Sequence, residues 1–131
     1  MVVWKLINSY VSNFEGENIE DYYKLKYEDD YMGYKIAKME LLRLRNHCIK
    51  HSLNCHIVLM PDIHKLNPYK LNFINKKIDN FSNKLNLPFL DLLKNFDNLD
   101  EKKVWNKYND PHPNEFGHLI IGQSVFKFLN K

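Results

Sequence analysis

The residues best suited to chemistry fall together near the end of the chain, in Tyr108-Asn109-Asp110-Pro111-His112-Pro113-Asn114-Glu115-Phe116-Gly117-His118. Pro111 and Pro113 each fix their own φ and push the preceding residue toward extended backbone. Asp110 and His112 therefore sit on a stiff, non-helical segment, where side chains two apart point the same way. The carboxylate and the imidazole can then lie on one side, close enough to bond. An acid that orients an imidazole is what a general base requires. Pro, Asn and Asp are also ordinary turn residues, so the same cluster could be no more than a helix lead-in. A third reading is a metal site built from Asp110, His112 and His118. Its spacing is not the i, i+4 pair of a helical zinc motif, and it ranks last. No metal and no cofactor is expected.

The elements that must position this segment can be read from the apolar spacing. Asn114 suits a helix N-cap, and the run Phe116 to Leu129 is the helix it starts, burying Leu119, Ile120, Val125 and Phe128. Gly117 and Gly122 would let backbone approach closely there. Upstream, Tyr34 to His51 carries Tyr34, Ala37, Leu41, Leu44 and Cys48 at steps of three and four, a core-facing stripe. Asn54 to Met60 is short, β-branched and closed by Pro61, which predicts a strand buried on both faces and hence parallel. Pro68 to Leu85 predicts a second helix, with Leu71, Ile74, Ile78, Phe81 and Leu85 inward and Pro68 in its first turn. Leu87 to Leu93 predicts a second strand with Pro88 at its start, and Asp91 reads as structural. Helix, strand, helix, strand, helix is the rhythm of an α/β sheet.

The remaining segments carry less. Trp4 to Phe14 has helical spacing and Gly16 ends it. Glu15 to Asp30 reads as an acidic, aromatic surface loop with room for a short helix. It is either a solvated connector or a substrate rim, and the connector is favoured. Phe96 to Tyr108 reads as a loop in which Trp105 either walls a substrate pocket or covers the core. Asp62 and His64 lie just past the first strand, at the carboxyl end where parallel sheets gather ligand sites. They are candidates for a pocket wall, with a solvated loop as the plainer reading.

Asp110-Pro111-His112-Pro113-Asn114, then Gly117-His118, then an apolar helix, resembles the last conserved block of the SGNH (GDSL-type) hydrolases. The resemblance covers roughly the second half of that family's domain. It implies a three-layer α/β/α flavodoxin-like fold, of which this chain would be the C-terminal half. It also implies a Ser-His-Asp triad in which Asp110 and His112 are the acid and the base. Many members space these residues Asp-x-x-His, but Asn109 stands three before His112 and cannot serve, so the acid must be Asp110. The substrate implied is an ester. His112 would take a proton from the serine and return it to the leaving alcohol. Asn114 and His118 would be structural, the His118 ring bonding backbone near the turn. The strand ended by Pro61 would line the active-site rim.

The serines are Ser9, Ser12, Ser52, Ser82 and Ser124, and none follows a Gly-Asp pair. The glycines, Gly16, Gly33, Gly117 and Gly122, do not occur in the blocks that carry that family's oxyanion hole. The expectation is therefore the C-terminal part of a serine ester hydrolase, inactive alone, with the missing N-terminal half as its partner. A non-catalytic interaction module built on the same fragment is the alternative.

Composition sets the outer bounds. A chain of 131 residues suits one domain with a modest core. With 44% hydrophobic and 27% charged residues it has a globular rather than a disordered profile. A net charge of +3, evenly spread, gives no reason to expect nucleic acid as a partner. No run is long enough to cross a membrane. The first residues lack the features of a signal peptide, which leaves the cytoplasm as the default expectation. Cys48 and Cys55 match no disulfide framework, and buried free thiols are expected.

Overall fold

A computed structural model describes residues 19–108 and 110–130. The helix expected over Trp4 to Phe14 lies outside the described residues. The chain divides into two compact units, Met1–Leu41 and Leu42–Lys131, with the division inside one long helix.

In the first unit, α1 (Ile19–Lys26) occupies half of the segment read as a surface loop with room for a short helix. Glu20 and Asp21 lie in its first turn and Lys24 and Lys26 in its last, the arrangement that a helix dipole favours. Lys24 also reaches back one turn to Glu20 at 2.8 Å. These pairs offset the weak apolar content that made the segment read as irregular. Long α2 (Met32–Lys50) follows, close to the expected helix. Only part of its stripe is buried: Tyr34 and Cys48 are, whereas Ala37 and Leu44 are exposed.

The second unit holds the rest. Strands β1 (Ile57–Leu59) and β2 (Phe89–Asp91) pair in parallel, with Ile57 opposite Phe89 and Leu59 opposite Asp91. The helix between them, α3 (Asn72–Lys84), makes the crossover that a parallel pair requires. Pro68 precedes this helix rather than lying in its first turn, because residues 67–71 form turns first. Leu71, Ile74 and Leu85 are buried, as the three-and-four spacing predicts. Strand β1 is not buried on both faces: Val58, at its centre, is 40% exposed. A sheet of two short strands with one packed face leaves the other open.

After β2, Asp91 caps a 3₁₀ turn over Leu92–Asn95 by accepting from the Leu93 N–H at 2.9 Å, and it takes a second bond from the Asn75 amide at 2.7 Å. The expected loop then contains a second 3₁₀ turn (Glu101–Lys103) and a hairpin of β3 (Trp105–Lys107) and β4 (Asp110–Pro113), paired antiparallel. Prolines are tolerated in β4 because it is an edge strand with a single partner. The last helix, α4 (Glu115–Leu129), begins one residue before the expected position. Its Leu119 is exposed rather than buried. Gly117 is a close approach, since a Cβ there would stand 3.1 Å from the Pro113 side chain and 3.2 Å from the Val104 carbonyl. Gly122 faces open space. The core gathers Ile63, Leu66, Leu92, Phe96 and Val104, with Trp105 and Ile120 packed against it.

The cysteines are not free. Cys48 and Cys55 form a disulfide across a Cα separation of 6.2 Å. The end of α2 explains why they meet. Ser52 takes a positive φ of 53°, and the Leu53 N–H donates back to the Cys48 carbonyl at 2.8 Å, so the chain reverses within one turn. Spacing alone does not reveal that reversal.

The protein is thus of mixed helix-and-strand, α/β class. No helix among the described residues is long and apolar enough to cross a membrane.

Candidate active site

The site starts from Asn114. Its side-chain oxygen accepts from the Gly117 N–H at 2.9 Å, the N-cap bond of α4. Its amide donates to the Lys103 carbonyl at 2.9 Å and to the Trp105 carbonyl at 3.0 Å. One side chain therefore ties the start of the helix to both ends of the turn that opens β3. Further along the hairpin, Lys107 pairs with Asp110 in a register broken by a bulge.

On this frame Asp110 and His112 meet. Asp110 Oδ1 lies 2.5 Å from His112 Nδ1 and also accepts from the His112 backbone N–H at 3.2 Å. That is an Asx turn closed a second time through the ring. The other oxygen, Oδ2, accepts from the Asn106 amide at 2.9 Å. The Asn106 bond, followed by the bonds to His112, pulls the Asp110 carboxyl down to about 2, well below its ordinary value of 3.8. A carboxylate bonded on both oxygens holds the imidazole by Nδ1. Nε2 has no hydrogen-bond partner among the described residues, and the side chain is 86% exposed. Such a ring can accept a proton at Nε2 while the carboxylate stabilises the cation that results.

Asn106 was not singled out in the sequence. Its signal is only that it lies on the strand opposite Asp110, and the hairpin itself has no apolar alternation to announce it.

The second acid-histidine pair has the same build. Asp62 Oδ1 accepts from the His64 backbone N–H at 2.9 Å and lies 2.6 Å from His64 Nδ1. His64 is two-thirds exposed at 67%. The backbone N–H of Asp62 donates to the Tyr69 hydroxyl at 3.2 Å. Trp105 connects this loop to the hairpin: its indole N–H donates to the Ile63 carbonyl at 2.6 Å. Trp105 is thus a half-buried tether that packs on the core, and no hydrogen bond joins the two pairs directly.

One expectation needs correction. The His118 ring bonds no backbone; its own N–H donates to the Asn114 carbonyl at 2.8 Å, and the exposed ring has no hydrogen-bond partner among the described residues. Among the described residues no group of three or more His, Cys, Asp or Glu could hold a metal ion. Asp110 and His112 are already committed to each other.

Of the serines, Ser9 and Ser12 lie outside the described residues. Ser82 is fully buried and donates to the Ile78 carbonyl, and Ser124 donates to the Ile120 carbonyl. Neither these nor Ser52 bonds His112.

No family model, curated protein or solved structure matches the chain.

Proposed function

We propose that this chain supplies the acid and base of a serine ester hydrolase of SGNH type, on the C-terminal half of a flavodoxin-like α/β/α fold. The single observation that carries the reading is the Asp110–His112 pair. Its Nδ1 is fixed at 2.5 Å by a carboxylate bonded on both oxygens, and its Nε2 is open to solvent. The nucleophile and the oxyanion donors come from elsewhere in this reading, which rests on the lack of a Gly-Asp-Ser block and of the family's oxyanion blocks in the sequence. His112 takes the proton of a serine hydroxyl as that oxygen attacks the ester carbonyl. It then gives the proton to the leaving alcohol, and water resolves the acyl-enzyme by the same route. Asp110 keeps Nδ1 protonated and stabilises the imidazolium. An acceptor alcohol in place of water would make the reaction an acyl transfer.

The test is hydrolysis of p-nitrophenyl acetate by the chain alone and together with the polypeptide encoded upstream of it. The chain alone is expected to give no turnover. The combination is expected to turn over, and His112→Ala in it to abolish the activity while the circular dichroism stays unchanged. Activity that survives His112→Ala removes the base from His112 and ends the reading.

A second reading is a non-catalytic interaction module. It draws on the outer face of α4, where Phe116, Leu119 and Phe126 are exposed. Exposed large side chains clustered on one face mark a protein contact more often than chemistry. Upstream DNA without a Gly-Asp-Ser block, in any frame, would favour it.

A further inference from the structure

A cleft of about 370 Å³ opens at the amino-terminal ends of β1 and β2, beyond the two helix ends that lead into them. Asp62 and His64 follow β1, so this cleft and that pair lie at opposite ends of the strand. Its size falls within the range of small-molecule sites, about 300–1,000 Å³. One part of its wall is apolar, with Leu53, Leu87 and Leu129. The polar part is Arg45, Asn54, His56 and Asn86, and among the described residues no carboxylate side chain lines it.

The helix ends would ordinarily make this a poor place for negative charge, because helix C-termini present carbonyl oxygens. Here several of those carbonyls are already occupied. Cys48 O accepts from the Leu53 N–H, and Ser82 O accepts from the Leu85 and Leu87 N–H groups. Leu85 O accepts from Arg45 Nε at 3.3 Å. What remains unspent is donor capacity. Arg45 uses Nε for that carbonyl and Nη1 for the Asn46 side chain at 3.2 Å, which leaves Nη2 open. Among the described residues no carboxylate pairs with its guanidinium. The side chains of Asn54 and Asn86 likewise have no hydrogen-bond partner there. A guanidinium with an open edge, two free amides and an apolar wall specify a ligand with a negative head and a hydrocarbon body. The Cys48–Cys55 disulfide closes the loop that carries Leu53 and Asn54, so it holds one rim in place.

We propose that this cleft binds a small organic anion with a short aliphatic tail, its oxyanion head on Arg45 and its tail against Leu53 and Leu87. The site is independent of the acid-histidine pair.

The experiment is ¹⁵N NMR titration of the whole chain with hexanoate, and separately with inorganic phosphate and with hexanol. Hexanoate is expected to saturate and to shift the Arg45 Nε–H and the Leu53 and Asn86 amides. Phosphate alone and hexanol alone are each expected to bind at least about tenfold more weakly, since each keeps only one half of the recognition. Arg45→Gln keeps a donor for the Leu85 carbonyl and removes the charge, and should weaken hexanoate by about tenfold or more. Leu53→Asp, at an exposed rim position, should do the same by repulsion without touching the core. Asp110→Asn should leave the affinity unchanged. The proposal is overturned if hexanoate fails to saturate, or if either half-ligand binds as tightly. It is equally overturned if hexanoate affinity survives Arg45→Gln and Leu53→Asp.

Discussion

Asn114→Ala should do more harm than the loss of an ordinary helix cap. In a simple cap the side chain makes one bond, and its removal costs about 1 kcal/mol, with a range of about 0.5–2. Asn114 makes three: it accepts from the Gly117 N–H and donates to the Lys103 and Trp105 carbonyls. Each donated bond contributes about 0.5–1.5 kcal/mol, so alanine should cost about 2–4 kcal/mol in all. That is a large part of the 5–15 kcal/mol by which a domain is typically stable. Serine at this position keeps an acceptor for the helix and lacks the two amide donors. Asn114→Ser should therefore recover the cap term alone and lie about 1 kcal/mol above alanine. Urea denaturation followed by circular dichroism gives both numbers, provided the slope with denaturant is unchanged. The site should respond too. With β3 no longer tied to the helix start, the hairpin loosens and the His112 Nδ1 proton should exchange faster with water. A loss below about 0.5 kcal/mol for alanine would mean that the three bonds are not coupled to folding. Serine as unstable as alanine would mean that the cap term is absent.

Other expectations follow from the same frame. The Asp110 carboxyl, with its folded value lowered to about 2, contributes stability above its ordinary value of 3.8 and loses it as pH falls through the folded value. Side-chain ¹³C titration should therefore give a midpoint below 3, and Asn106→Ala should raise it by removing the largest cause. An unchanged midpoint in that variant would show that Asn106 does not hold the carboxylate. The disulfide spans seven positions, and by the chain-entropy estimate its removal in a Cys48→Ser, Cys55→Ser double variant should cost about 2 kcal/mol. Denaturation in urea with and without reductant checks this, and reductant should have no effect on the double variant. Trp105→Phe keeps an aromatic ring against the core but deletes the bond to the Ile63 carbonyl, which should cost about 1 kcal/mol beyond the lost packing. It should also raise hydrogen exchange in the loop that carries Asp62 and His64. Unchanged exchange there would refute its role as a tether.

The elements whose apolar residues recur at a fixed period could be read well from the chain. The centre of α3 falls where Ile74 and Ile78 place it, and α4 starts where Asn114 and the following apolar run require. The parallel pairing of β1 and β2 follows from two short apolar runs separated by a helix. Elements held by specific polar bonds could not be read in this way. Strands β3 and β4 have no apolar alternation; they exist because Lys107 meets Asp110, Trp105 meets Pro113, and Asn114 fastens the end where β3 starts and β4 finishes. Helix α1 rests on charge placement around a short segment with few core contacts. The exposure of Leu44, Val58 and Leu119 was also hidden. Periodicity shows which face is apolar but not whether anything covers it.

For the site, the types and order of residues went a long way. Two prolines around a histidine, with an acid two before it, force an extended segment in which acid and ring can meet. That restriction is local and steric, so the sequence determined it. Whether the ring would be enclosed, what would hold the second carboxylate oxygen, and whether two cysteines seven positions apart would bond depended on contacts between distant residues. Asn106 reaches Asp110 only because a hairpin folds back, and Cys48 reaches Cys55 only because α2 ends in a left-handed residue. Local backbone limits are written in neighbouring residues, whereas the fit of one segment to another emerges only when the chain packs.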